Sequence, residues 1–408
     1  MEISKEQKLL LNLIAMSLSD QPEKLKLSSE ELSGVDFVKV AKESIYQAVT
    51  VQAFNSAYVY KDSIPQPVYN KWQEFAINVM QTNLKVIKAQ DELVSLLENN
   101  KFEYAIIKGT SSSSYYKEPF DRALGDVDFL INPNDQSLIE ELLEKNGYQK
   151  DPMGHISHVV FTKPNAHLEM HFEVAGLPEN EYKNTVKDFV APTVQTAVQK
   201  EIEKSFFKAP INLYHGVIIL LHTQHHMLGE GLGLRHLCDL ATFVQRTHDQ
   251  PFWTEKLLPF AKEIGLYKFL CVMVKTCVKH LKISTPTWLE DFLEPSAEDV
   301  IMDVLSSGNL GKKDGVKSSS GALIAKKGKK KRGALSTLAI SLHRAVLLKY
   351  PIVKKVWILY PFIYIFKAVQ NVLRMIFGKR TSLTKMIPEA KKRQALYDKL
   401  DVYKTKEN

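Results

Sequence analysis

The sequence predicts an α+β protein: a small mixed sheet with helices, flanked by N- and C-terminal helical regions. Three observations predict it. Short strand-prone runs cluster mid-chain, at residues 104–107, 127–131, 159–161 and 168–174. Helical periodicity fills the first hundred residues and returns from residue 211. Between them, carboxylates and apolar side chains alternate with a period of two, as on strands.

Taken in order, residues 1–18 read as an amphipathic helix with Leu9, Leu10, Leu13, Ile14 and Leu18 on one side. Ser28 and Glu31 stand at capping-box spacing, and Gly34 limits any helix they open. Residues 41–59 read as one further helix, with Ile45, Val49, Phe54 and Tyr58 as core. Pro65-Gln66-Pro67 breaks the chain, and a long helical pattern runs over 68–99. Residues 136–146 predict a helix with Leu138, Ile139, Leu142 and Leu143 inward, closing at Gly147. Residues 159–161 and 168–174 pair as a hairpin around Pro164-Asn165. The helices from 211 to about 306 are packing elements anchored by Trp253 and Trp288.

The chemistry concentrates between Lys108 and His171. Gly125 turns the chain into a strand on which Asp126 and Asp128 share one face, with Val127 and Phe129 on the other. Glu169, His171 and Glu173 share a face of a second strand in the same way. Carboxylates that close repel one another, and a divalent cation relieves the repulsion better than one lysine does. Side by side, the two strands would offer Asp126, Asp128 and Glu169 as oxygen ligands. Upstream, a buried strand ends at Lys108-Gly109, and the turn through Thr110 and Ser111 offers N–H groups and hydroxyls suited to phosphate oxygens. The plainer alternative is that Asp126 and Asp128 end a strand and Arg122 neutralises them. His155 and His158 precede a strand and read as loop residues; Tyr115 and Tyr116 read as packing.

The string Ile107-Lys108-Gly109, Tyr116, Pro119, Arg122, Gly125-Asp126-Val127-Asp128, followed by Glu169-x-His171, resembles the DNA-polymerase-β-type nucleotidyltransferases. Within them it is similar to a bacterial family of uncharacterised nucleotidyltransferases, over roughly residues 1–250. The resemblance implies a polymerase-β-like core and Mg²⁺-dependent transfer of an NMP from an NTP to an acceptor hydroxyl or phosphate, with Mn²⁺ as the alternative ion. Asp126, Asp128 and Glu169 would be the metal-binding and catalytic residues. Lys108, Gly109, Thr110, Ser111 and Arg122 would bind the nucleotide, and His171, Arg235 and Asp239 are candidate substrate contacts. One departure is Gly109-Thr110-Ser111, where superfamily members usually carry Gly-Gly or Gly-Ser. The runner-up reading is a catalytically weakened nucleotide-binding scaffold.

At 408 residues, with 45 % apolar and 25 % charged residues, the chain has material for a sizeable core and more than one domain. The expected division is a helical region at 1–100, a catalytic core at 101–208, a helical domain at 209–306, a basic linker at 307–334 and a basic tail at 335–408. Without a basic-then-apolar leader, and with Cys238, Cys271 and Cys277 fitting neither a zinc site nor a disulfide framework, a cytoplasmic home is expected. His222 and His226 are one turn apart, but His-Thr-Gln-His-His lacks the glutamate of a zinc helix. Arg235 and Asp239, also one turn apart, read as an i,i+4 ion pair.

Charge divides the chain sharply. Residues 312–332 carry net +8 and residues 333–408 net +11; since the whole is +8, residues 1–311 sum to −11. An acidic body with a basic tail points to a polyanionic partner for the tail. The uncharged run at 356–366, bracketed by lysines, is too short to cross a bilayer and suits a helix in an anionic membrane surface. The alternative is that it packs back on the body. Nucleic acid ranks behind both, since no aromatic-basic RNA-binding motif is present.

Overall fold

A computed structural model of the chain describes residues 2–152, 157–178, 180–293, 295–313, 315–320, 343, 346, 360–376 and 383–402. His155, most of the linker and the first part of the basic tail, apart from His343 and Val346, therefore lie outside the described residues.

The N-terminal region is helical: α1 (Lys5–Leu18), α2 (Ser29–Leu32), α3 (Phe37–Tyr46), α4 (Thr50–Ala57) and α5 (Gln66–Asn99). Ser4 and Gln7 form a reciprocal capping box on α1, and Ser28 and Glu31 form another on α2. The single helix expected over 41–59 is instead broken between α3 and α4, where Ala48 takes φ 57°. Gln47 explains the break: its side chain accepts from the Leu234 N–H at 3.0 Å and donates to the Leu305 carbonyl at 3.3 Å. The break is a tertiary junction, invisible to local periodicity.

The sheet follows. Its strands are β1 (Tyr104–Ile106), β2 (Val127–Ile131), β3 (Gln149–Lys150), β4 (His158–Lys163) and β5 (Ala166–His171), in spatial order β1-β2-β5-β4-β3. β2 and β5 run parallel and the other pairs antiparallel, so the sheet is mixed. Two short helices interrupt it, α6 (Thr110–Ser113) after β1 and α7 (Gln136–Lys145) after β2. On α7, Ile139 and Leu143 are buried at i,i+4, whereas Leu138 is 57 % exposed; it lies off the inward stripe. The hairpin forms about residues 164–165, but β5 ends at His171 rather than 174. The amides of Phe172 and Glu173 both converge on the Ser157 carbonyl, which ends the ladder, and Glu173 pairs outward with Lys187 at 3.0 Å.

Beyond the sheet come α8 (Lys183–Val190), the hairpin β6 (Val198–Ile202) and β7 (Ser205–Ala209), and then α9 (Asn212–Leu228), α10 (Leu234–Thr247), α11 (Leu258–Glu263), α12 (Tyr267–Leu281), α13 (Ala297–Ser307) and α14 (Gly315–Ser320). In the tail, α15 (Tyr360–Ile376) and α16 (Leu383–Lys399) are described. Trp253 and Trp288 stack at 4.5 Å.

The two faces of the sheet bury different cores. Val127, Phe129, Ile131, Leu168 and Met170 pack with Leu93, Val94 and Leu97 of α5. Leu130 turns the other way, into the large core shared with α9, α10 and the N-terminal helices. Period-two alternation puts Asp128 on that second face, looking toward the helical wall. Gly176, at φ 85°, lets the chain after β5 press against that wall; a Cβ there would lie 2.6 Å from the Leu221 carbonyl oxygen.

Candidate functional site

The register of β2 and β5 places Asp128 directly beside Glu169, with Leu130 beside His171. Asp126 stands one residue before β2, on the side of Asp128. Three carboxylates thus meet at one end of a parallel strand pair. Burial, then the neighbouring Asp128 and Glu169, push the Asp126 carboxyl up to about 6. Burial would raise Asp128 as well, but Lys108 and His171 outweigh it and hold that carboxyl well below the usual range. Lys108 Nζ lies 2.5 Å from Asp128 Oδ1. His171 Nε2 lies 2.9 Å from the same oxygen and 3.4 Å from Glu169 Oε2. Lys108 and the His171 imidazole stand where negative charge is in excess; burial opposes a charged imidazole, but hydrogen bonds to Asp128 and Glu169 outweigh it and raise the His171 pKa. Oxygen donors from Asp126, Asp128 and Glu169 fit a hard divalent cation, and Asp126, Glu169 and the imidazole of His167 bring ligand atoms within 4.8 Å of one another.

The turn before α6 is shaped by Gly109, whose φ of 53° and ψ of −111° an L side chain rarely adopts. Thr110 and Ser111 differ from expectation. The Thr110 hydroxyl donates to Gln90 Oε1 at 2.5 Å and the Ser111 hydroxyl to the Ile106 carbonyl, so both side chains fasten the turn to the fold rather than face outward.

Arg122 is likewise turned inward. Its Nε and Nη2 make a bidentate pair with Asp239 at 2.7 and 2.8 Å, and the Tyr116 hydroxyl donates to the same carboxylate at 2.7 Å. The expected i,i+4 pair of Arg235 with Asp239 is therefore replaced by a long-range one, because the guanidinium of the sheet-side loop reaches Asp239 in bidentate geometry. Among the described residues, the Arg235 side chain has one long bond, Nη1 to the Ala123 carbonyl at 3.4 Å, and its buried Nε has no partner. Burial, then the nearby Arg122, hold its pKa below the ordinary value, while Asp239 and Asp126 act the other way. Asn83 clamps the loop carrying Arg122: it donates to the Phe120 and Arg122 carbonyls, each at 3.0 Å, and accepts from the Leu124 N–H at 2.8 Å.

Opposite the sheet, His222 and His226 of α9 meet His236 of α10, with ligand atoms within 4.8 Å of one another. Spacing alone identified the first two; His236, on the next helix, carries no local signal. Burial, and then nearby basic groups (Lys108 for His222, His225 and Lys108 for His226, His226 and Arg235 for His236), hold all three well below the ordinary imidazole value. The Gly233 N–H donates to His236 Nδ1 at 3.3 Å, which leaves the ring proton on Nε2. The Nε2 atoms of His222 and His226 lie 2.8 Å apart, within hydrogen-bond distance. His236 Nε2 has no hydrogen-bond partner among the described residues, so His236 is joined to the His222–His226 pair by proximity alone. A pocket between the sheet and this wall is lined by Lys108, Ser112, Arg122, His222, His236 and Asp239.

A family model described as uncharacterised nucleotidyltransferase matches residues 36–282. No curated protein and no solved structure matches the chain.

Proposed function

The chain belongs to the uncharacterised nucleotidyltransferase family, and on that premise we propose that it transfers an NMP from an NTP to an acceptor hydroxyl or phosphate at the Asp126, Asp128 and Glu169 centre of a polymerase-β-like core. The observation that carries this reading is the crowding of three carboxylates at the β2–β5 pair, with Asp126 pushed up to about 6 by burial and by the other two. Asp126, Asp128 and Glu169 would hold Mg²⁺, or Mn²⁺ in its place. The ion would neutralise the triphosphate and stabilise charge on the attacking and leaving oxygens.

The remaining work falls to the chain. Lys108 and Arg235 supply positive charge toward the phosphates, Lys108 from beside Asp128 and Arg235 with an Nε that has no partner among the described residues. Gly109 shapes the turn that brings backbone N–H groups near. Glu169, less buried than Asp128, takes the proton from an acceptor hydroxyl as its oxygen bonds to the α-phosphorus; the bond to the bridging oxygen breaks and pyrophosphate leaves. His171 orients both Asp128 and Glu169. Arg122 and Asp239 hold the loop and α10 together around the site rather than touching phosphate.

A second reading is favoured by one observation. Thr110, Ser111 and Arg122 all direct their polar groups into the fold, which withdraws three of the expected phosphate contacts and suits a catalytically weakened site. NTP binding and pyrophosphate release, measured with each of the four NTPs and Mg²⁺ or Mn²⁺, separate the two. Metal-dependent binding with release, both lost in Asp126→Asn/Asp128→Asn, is the outcome expected of the enzyme. Binding without release supports the second reading. Absence of NTP binding by the unaltered protein contradicts both.

A further inference from the structure

The tail helix α15 exposes Phe362, Ile365, Phe366 and Val369 to 71, 63, 56 and 51 %. Their spacing places all four on one arc of the helix, about 100° wide. Lys367 is buried on another side, where its Nζ donates to Gln370 at 2.9 Å. Pro361 sits in the first turn, where a missing N–H breaks no helical bond. Two phenylalanines and two aliphatic residues, each more than half exposed in one stripe, form a patch that solvent alone does not favour.

The charge around the stripe indicates what covers it. Residues 315–388 contain sixteen Lys and Arg and no Asp or Glu. A second copy of this stretch brings the same charge and repels it. An anionic bilayer offers both complements at once, acyl chains for the stripe and phosphates for the Lys and Arg that flank it in the sequence. No described helix is long and apolar enough to cross a membrane, so α15 would lie in the plane rather than span.

We propose that α15 is an interfacial anchor that seats Phe362, Ile365, Phe366 and Val369 in the headgroup–acyl boundary of an anionic bilayer. The anchor holds the acidic body at the membrane surface and acts independently of nucleotide chemistry.

Flotation of the full chain with vesicles tests it, using phosphatidylcholine alone or with about one-third phosphatidylglycerol. The unaltered protein is expected to bind the anionic vesicles about tenfold or more tightly than the neutral ones. Phe362→Gln/Ile365→Gln/Phe366→Gln is expected to remove that preference while leaving the melting temperature unchanged, since all three side chains are exposed. Equal binding to both vesicles, or full binding by the triple variant, overturns the anchor. So does a dimer of the unaltered protein in the absence of lipid that the triple variant dissolves, which gives the stripe to a second copy. An affinity for RNA that falls with the same three substitutions gives it to nucleic acid and overturns the anchor as well.

Discussion

Asp126 carries a charge that the fold alone tolerates poorly. Its carboxyl is raised from 3.8 to about 6, so its favourable contribution is complete below the unfolded value and is lost as pH rises through about 6. Without a divalent ion, this group should cost about 2–3 kcal/mol at neutral pH. Asp126→Asn is therefore expected to raise the melting temperature in metal-free buffer at neutral pH while abolishing metal-dependent NTP binding. A fall in melting temperature would show that the repulsion is not there. The same raised value implies that metal-dependent NTP affinity weakens as pH drops below about 6, while Asp128 stays ionised; titration of affinity against pH checks it. Asn83 is a stabilising residue of another kind, fully buried and holding three backbone groups of the Arg122 loop. Asn83→Ala leaves those groups without partners and is expected to cost about 2–4 kcal/mol, read by chemical denaturation.

Between elements, the buried pair of Arg122 and Asp239 ties the loop before β2 to α10. Asp239→Asn leaves a buried guanidinium without its counter-charge, and a loss of about 3–5 kcal/mol is expected. Arg122→Met/Asp239→Leu should recover most of it, since apolar replacement of both partners removes the desolvation cost; a double variant as unstable as the single would contradict that. The same pair shows where sequence reading stops. The β4–β5 hairpin, the long α5 and the Ser28–Glu31 capping box were legible because each rests on residues a few positions apart. The joining of Asp126, Asp128 and Glu169 was legible because strand alternation fixes their faces. The partner of Asp239 was not, since spacing proposes Arg235 while the fold brings Arg122 from 117 residues away. The α3–α4 break and the place of His236 beside His222 and His226 depend likewise on contacts between distant elements.

At the scale of the molecule, one face of the sheet is closed by α5 and α7, and the other turns its carboxylates toward the wall of α9 and α10. Among the described residues, clusters with metal-ligand geometry lie on both sides of that crevice: Asp126, His167 and Glu169 and also His158, Glu169 and His171 on the sheet side, and His222, His226 and His236 on the wall. On the proposed function the carboxylates hold the ion and the histidines do not, because hard oxygen donors with excess negative charge suit Mg²⁺, whereas neutral imidazoles suit softer transition-metal ions. Electron paramagnetic resonance of Mn²⁺ with a non-hydrolysable NTP counts bound ions directly. Bound Mn²⁺ is expected in the unaltered protein and in His222→Ala/His226→Ala, and is expected to be lost in Asp126→Asn/Asp128→Asn. Retention of Mn²⁺ by the aspartate variant together with its loss from the histidine variant would contradict the account.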